Sequence, residues 1–228
     1  MMTFEDYKRK FFGLYNEAKR LHNESPYRHT GHGVDHNVTV GMLAVLIAPN
    51  HRTGEKAFCA ALLHSLDRIS DQKESQTPKE RFYGLATLCL GKLPNSLFTF
   101  GEQYEIMEAA IRHAELNQYD QSLTQQVLMD ADRLANLMPA VVMRAGQFRH
   151  NIAALEFWCL DGKCNHLSTY ANPQSVVDAL RLNISEYIPQ LRLPKAIELA
   201  QRYVRLLEQY LSWVEESNDE IGLKGAGL

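Results

Sequence analysis

Apolar residues return every three or four positions in segment after segment of this chain, and no run shows the alternation of a half-buried strand. That periodicity predicts an all-α fold, a helical bundle in which each segment turns one stripe toward a shared core. Thr3 and Asp6 read as an N-cap and its N3 partner, opening a helix that carries Phe4, Phe11, Leu14, Tyr15, Ala18 and Leu21 to about residue 23. A second helix is expected over about 34–48, stopped by Pro49. A third is expected over about 55–66, where Ala57, Cys59, Ala60, Leu62 and Leu63 make it apolar nearly all round. Thr77, Pro78 and Glu80 combine a cap, a proline at N1 and an N3 acid, predicting a helix to about residue 90. Further helices are expected from near Glu102, over about 123–137, over about 173–188 behind an Asn172-Pro173 cap, and over about 194–216.

A chain of 228 residues is long enough for one substantial core. Residues 1–217 are read as one domain, with its motif-bearing part at about 20–150, closing helices at 173–217 and a loosely ordered tail at 218–228. The composition is 45% hydrophobic and 22% charged with a net charge of -3, which provides no basic field for nucleic acid. No window approaches the ~20 apolar residues of a membrane span, and the first dozen residues mix charges into their apolar pattern, so neither membrane nor export is expected and the cytoplasm is. Cys59, Cys89, Cys159 and Cys164 form no CxxC; the first two lie in apolar helical patterns and suit buried free thiols. Cys159, Cys164 and His166 alone invite a zinc reading, and no second pair completes a tetrahedron.

The nine histidines are unevenly placed. His29, His32 and His36 crowd around Gly31 and Gly33, and the spacing of the last two is one helical turn. Taken alone, this segment fits a solvated helix start at least as well as a site. His64 lies in an apolar helical pattern, where an imidazole needs a partner, either a metal or a carbonyl or carboxylate of the core. Asp67, three residues on, shares its expected helix face. Asp130 and Asp132 interrupt the pattern of Val127, Leu128, Ala131, Leu134, Ala135 and Leu137. They either face solvent or offer a hard oxygen to an ion already held by imidazoles.

In chain order, "GHGVDHNVTV", "ALLHSLDRI", "IRHAEL" and "DADRLANL" resemble the HD-domain superfamily of metal-dependent phosphohydrolases. The resemblance covers about residues 20–150 and extends more loosely over the C-terminal helices. It implies a bundle of the HD-domain type holding one divalent ion (Mn, Fe, Ni or Zn) through His36, His64 and Asp132, with Asp130 as a neighbour. The aspartate of the family's His-Asp pair falls on Ser65, which removes one negative charge and one coordination bond. Three outcomes stay open: a three-ligand site, Asp67 as replacement ligand, or no ion and a pocket that takes a phosphate ligand or nothing. On this reading an ion is bound more weakly than in a complete site, and Ser65→Asp strengthens it.

The resemblance implies further roles. Asp67 matches an acid that positions water or carries a proton, and His113 matches an extra histidine that touches substrate or an additional metal. His32 is placed behind the ligands or on a phosphate. Arg68 and Arg133 suit phosphate oxygens through bidentate bonds, and salt bridges to Asp67 or Asp132 fit them equally. The implied activity is hydrolysis of a phosphoester or phosphoanhydride, with a nucleotide as substrate. The alternative is a catalytically impaired scaffold that binds a nucleotide, a phosphate ligand or a protein partner. The Leu, Ile, Tyr and Val stripe of the C-terminal segment is read as core or as a homodimer face.

Overall fold

The computed structural model describes residues 2–25, 33–69, 77–94, 96–114, 121–149, 151–155 and 162–223. The fold is all-α: among the described residues every regular element is helical, apart from one isolated parallel bridge between Ala153 and Ser175. The chain clusters into two compact units, Met1–Asp132 and Arg133–Leu228.

The first unit opens with α1 (Phe4–Lys10), held by a capping box in which Thr3 N–H donates to Asp6 Oδ2 at 2.8 Å while Asp6 N–H donates back to the Thr3 hydroxyl. The chain does not continue as one helix to residue 23. Phe11 leaves helical geometry (φ -111°, ψ 32°), and α2 (Phe12–Glu24) starts at once. The break seats the Phe11 ring in the core, with centroids 5.8 Å from Phe58 and 5.9 Å from Phe98. Burying an aromatic among aromatics outweighs one uninterrupted turn.

Helices α3 (Val34–Ile47) and α4 (His51–Leu63) pack against each other at the centre of this unit. Helix α4 starts earlier than the periodicity suggests, because the Asn50 side chain caps Thr53 N–H at 2.9 Å. It also ends earlier: His64 and Ser65 form a turn before the short α5 (Leu66–Ile69). With residues 57–66 all buried, no exposed position betrays that turn. Helices α6 (Pro78–Leu90) and α7 (Phe100–Ile111) each begin with a complete capping box, Thr77 with Glu80 and Thr99 with Glu102. α8 (Leu123–Ala135) carries the aspartates, and the boundary between the two units falls inside it.

In the second unit, α9 (Val141–Phe148), α10 (Val176–Tyr187), a 3₁₀ turn (Ile188–Gln190) and α11 (Pro194–Glu220) enclose a core of Val141, Ala145, Val177, Leu180, Leu207 and Leu211. Helix α10 starts at Val176 behind a Ser175 cap, later than Asn172-Pro173 suggests. The buried Asp178 draws the preceding chain into turns, accepting from Asn165 N–H at 3.2 Å and from the Ser168 hydroxyl. α11 runs to Glu220, so residues 218–220 of the expected tail are helical. Cys59 and Cys89 are buried free thiols, as their helical context suggests; Cys164 is partly buried and Cys159 lies outside the described residues. Among the described residues no helix is long and apolar enough to cross a membrane.

Candidate metal centre

Three elements of the first unit each contribute one group to a single point. His36 sits in the first turn of α3, His64 caps the C-terminus of α4, and Asp132 lies in the last turns of α8. One ligand atom from each lies within 4.8 Å of the other two. Asp132 Oδ1 stands 3.1 Å from His36 Nε2 and 4.0 Å from His64 Nε2, and the two imidazole centroids are 5.3 Å apart. Both histidines are buried, and so is Asp132 Oδ1, while the Asp132 side chain as a whole keeps partial exposure.

The orientation of His64 follows from its cap position. Its Nδ1 lies 2.7 Å from the Ala61 carbonyl, which fixes Nδ1 as the protonated nitrogen and leaves Nε2 with a lone pair. That Nε2 is buried and has no hydrogen-bond partner among the described residues, a costly state for a polar atom unless it binds something. His113, in the turn after α7, repeats the arrangement: Nδ1 lies 2.7 Å from Ala110 O, and its ring meets that of His64 edge-on with centroids 5.0 Å apart.

Burial pushes His64 well below the ordinary imidazole range; Asp132 opposes this shift, and His113 and His36 add to it. For Asp132, burial alone acts to raise the pKa. The His36 hydrogen bond, and then the charges of His36, His64 and His113, overcome it and hold the carboxyl well below its usual range. An ionised carboxylate therefore faces the Nε2 lone pair of His64, part of the donor set of a mixed histidine and carboxylate metal site. These residues fit a divalent ion.

Ser65, the position at which the His-Asp pattern departs, belongs to a second buried cluster. Its hydroxyl donates to Asn37 Oδ1 at 3.0 Å and lies 3.4 Å from His22 Nε2; the Asn37 amide lies 3.1 Å from that same nitrogen and 3.3 Å from Leu62 O. His22 Nδ1 is buried without a hydrogen-bond partner among the described residues. Burial, then the nearby His36, pushes His22 down to about 4. Sequence reasoning passed over His22 and Asn37. The available signal was the position of His22 four residues after Ala18 and seven after Tyr15, on the buried stripe of α2.

The remaining sequence-derived candidates are dispersed. Arg68 is exposed at the end of α5. Arg133 is buried, and its guanidinium donates from Nε to Gln190 Oε1 at 3.0 Å and from a terminal nitrogen to Gln190 O at 3.2 Å. Those bonds occupy donors that a phosphate would use. Asp67 lies in α5, three residues past His64. His29 and His32 lie outside the described residues. Asp130 is fully buried in α8.

No family model matches the chain, and no curated protein matches its sequence. Among solved structures, the fold is similar to a structural-genomics crystal structure from Lactobacillus plantarum, with 17% identity, 95% of this chain and 98% of that chain covered, and a TM-score of 0.63. It is also similar to Bacillus subtilis YpgQ, crystallised in complex with ADP, with 18% identity, coverage of 91% and 100%, and a TM-score of 0.58. At these identities the likeness establishes a shared fold.

Proposed function

We propose that this chain is a metal-dependent phosphohydrolase of the HD-domain type that cleaves a phosphoester or phosphoanhydride of a nucleotide. The observation that carries the reading is the convergence of His36, His64 and Asp132 within 4.8 Å, with His64 Nε2 buried and unpartnered. The four short motifs and their order support the family. The likeness in fold to YpgQ, a protein crystallised with ADP, supports a nucleotide as ligand.

His36 and His64 would hold the ion through ring nitrogens and Asp132 through a carboxylate oxygen. When bound, a divalent ion of the Mn, Fe, Ni or Zn type supplies the Lewis acidity that lowers the pKa of water and polarises a phosphoryl oxygen. Asp67 serves as general acid and base, taking the proton of the attacking water. His113 steadies the charge that develops on phosphate, as does Arg68.

A second reading, a scaffold that binds a nucleotide or partner without turnover, is favoured by one observation: the Ser65 hydroxyl is committed to Asn37. A titration with Mn²⁺ or Zn²⁺, followed by a nucleotide panel read for phosphate and pyrophosphate release, separates the two. The enzyme reading expects a stoichiometric ion and ion-dependent release, both lost in Asp132→Asn. Nucleotide binding with neither ion nor release would establish the scaffold instead.

A further inference from the structure

Helix α11 is 27 residues long, and its buried face consists of Ala196, Ala200, Val204, Leu207 and Leu211. Beside that face runs a second apolar stripe: Leu199, Tyr203, Leu206, Tyr210 and Trp213, spaced four, three, four and three. This is the seam spacing of a two-stranded coiled coil. The second unit's own core does not use it, for Leu206 is 44% exposed, Tyr210 37% and Trp213 59%. Scattered exposed apolar residues are ordinary, but three exposed and two half-buried ones in register along about 21 Å of one helix are a contact surface.

The charges beside the stripe indicate what it meets. On the flank away from the buried face, seven residues apart, stand Lys195, Arg202, Gln209 and Glu216, with Glu198 and Glu220 on the same flank, all of them exposed. The flank carries a net positive charge at the N-terminal end despite Glu198, is neutral in the middle and is acidic at the C-terminal end. A parallel copy of the helix would set Arg202 against Arg202 and Glu216 against Glu216. An antiparallel copy sets Arg202 against Glu216 twice over and places Gln209 near Gln209 on the axis, while Tyr203 packs on Trp213 and Leu206 on Tyr210. Such self-complementarity is the property that a two-fold interface requires.

We infer that α11 is the interface of an antiparallel, two-fold homodimer, closed by the Leu199 to Trp213 stripe and flanked by reciprocal Arg202–Glu216 pairs. This inference rests on nothing at the metal centre and stands or falls independently of the hydrolase reading.

Sedimentation of the full chain at about 100 μM is expected to give twice the 26.0 kDa monomer mass. Trp213→Glu, or Tyr210→Glu should the first variant fold poorly, is expected to sediment as a monomer with an unchanged helical circular-dichroism signal. Arg202→Glu is expected to weaken the dimer on the order of tenfold, because both reciprocal pairs turn repulsive. Adding Glu216→Arg to that variant is expected to restore it. A wild-type monomer at that concentration overturns the inference, whatever else the stripe then contacts. So does a dimer indifferent to Trp213→Glu, or one whose affinity is unmoved by Arg202→Glu, the result that a parallel pairing would give.

Discussion

The Ser65 hydroxyl donates to Asn37 Oδ1 at 3.0 Å, directly behind two histidines whose neighbours in sequence they are: His36 precedes Asn37 and His64 precedes Ser65. The bond ties α3 to the turn after α4 at the level where both present their imidazoles. A position that reads as a lost ligand in the sequence is thus a structural tie between the elements that carry His36 and His64.

Ser65→Ala is accordingly expected to destabilise the protein by about 1–2 kcal/mol in a denaturant titration, since it leaves Asn37 Oδ1 buried without its donor. Ion affinity in the same variant is expected to stay unchanged. Ser65→Asp is expected to strengthen ion binding and to raise the pKa of His22, which an NMR titration of that ring reads directly. Unaltered ion affinity in Ser65→Asp would count against a site built on the His64 turn.

Gly41 of α3 lies close against Phe58 of α4. A methyl group there would lie 2.8 Å from Phe58 Cδ2, and the Phe58 ring is fully buried against Tyr7 and Phe11. Gly41→Ala should therefore lower stability by about 1–3 kcal/mol through overpacking, despite the better helix propensity of alanine. Thermal denaturation checks this, and an unchanged or raised midpoint would mean that the two helices separate at little cost.

Stability should depend on pH through His22. Its folded pKa of about 4 lies below the ordinary 6.5, so unfolding takes up a proton between those values. The contribution is fully present above about pH 6.5 and is lost as pH falls toward 4, amounting to about 3 kcal/mol over the whole interval. His64 is shifted in the same direction and adds to the loss, whereas Asp132, held below its usual range, keeps its contribution until more acidic pH. Melting curves of chelator-treated protein from pH 7.5 to 4.5 should fall steadily, and His22→Gln should flatten them. A slope identical in that variant would remove His22 from the explanation.

His113 faces His64 edge-on but stands apart from the three groups whose ligand atoms converge. His113→Ala is expected to leave ion affinity within a few fold and to reduce nucleotide hydrolysis by about 100-fold, the scale of a lost acid–base or charge-stabilising group. Titration calorimetry with Mn²⁺ beside a turnover assay distinguishes this from a ligand role, which would lower both together.

Much of this protein is legible along the chain, because the signals involved are local. Helical periodicity announces an all-α fold, and the caps at Thr3 and Thr77 mark helix starts, since each depends on residues within one turn of each other. His36, His64 and Asp132 are identifiable from motif and order, and they do meet at one point. Tertiary structure decided the rest. The break at Phe11 answers to the rings of Phe58 and Phe98, the turn at His64 and Ser65 hides within an unbroken buried run, and Arg133 finds Gln190 from another helix. The Ser65 hydroxyl is placed beside a histidine 43 residues away. Local sequence sets which groups a helix can present, but a buried hydroxyl or guanidinium takes the partner that packing brings within about 3 Å, and that partner is specified by other helices.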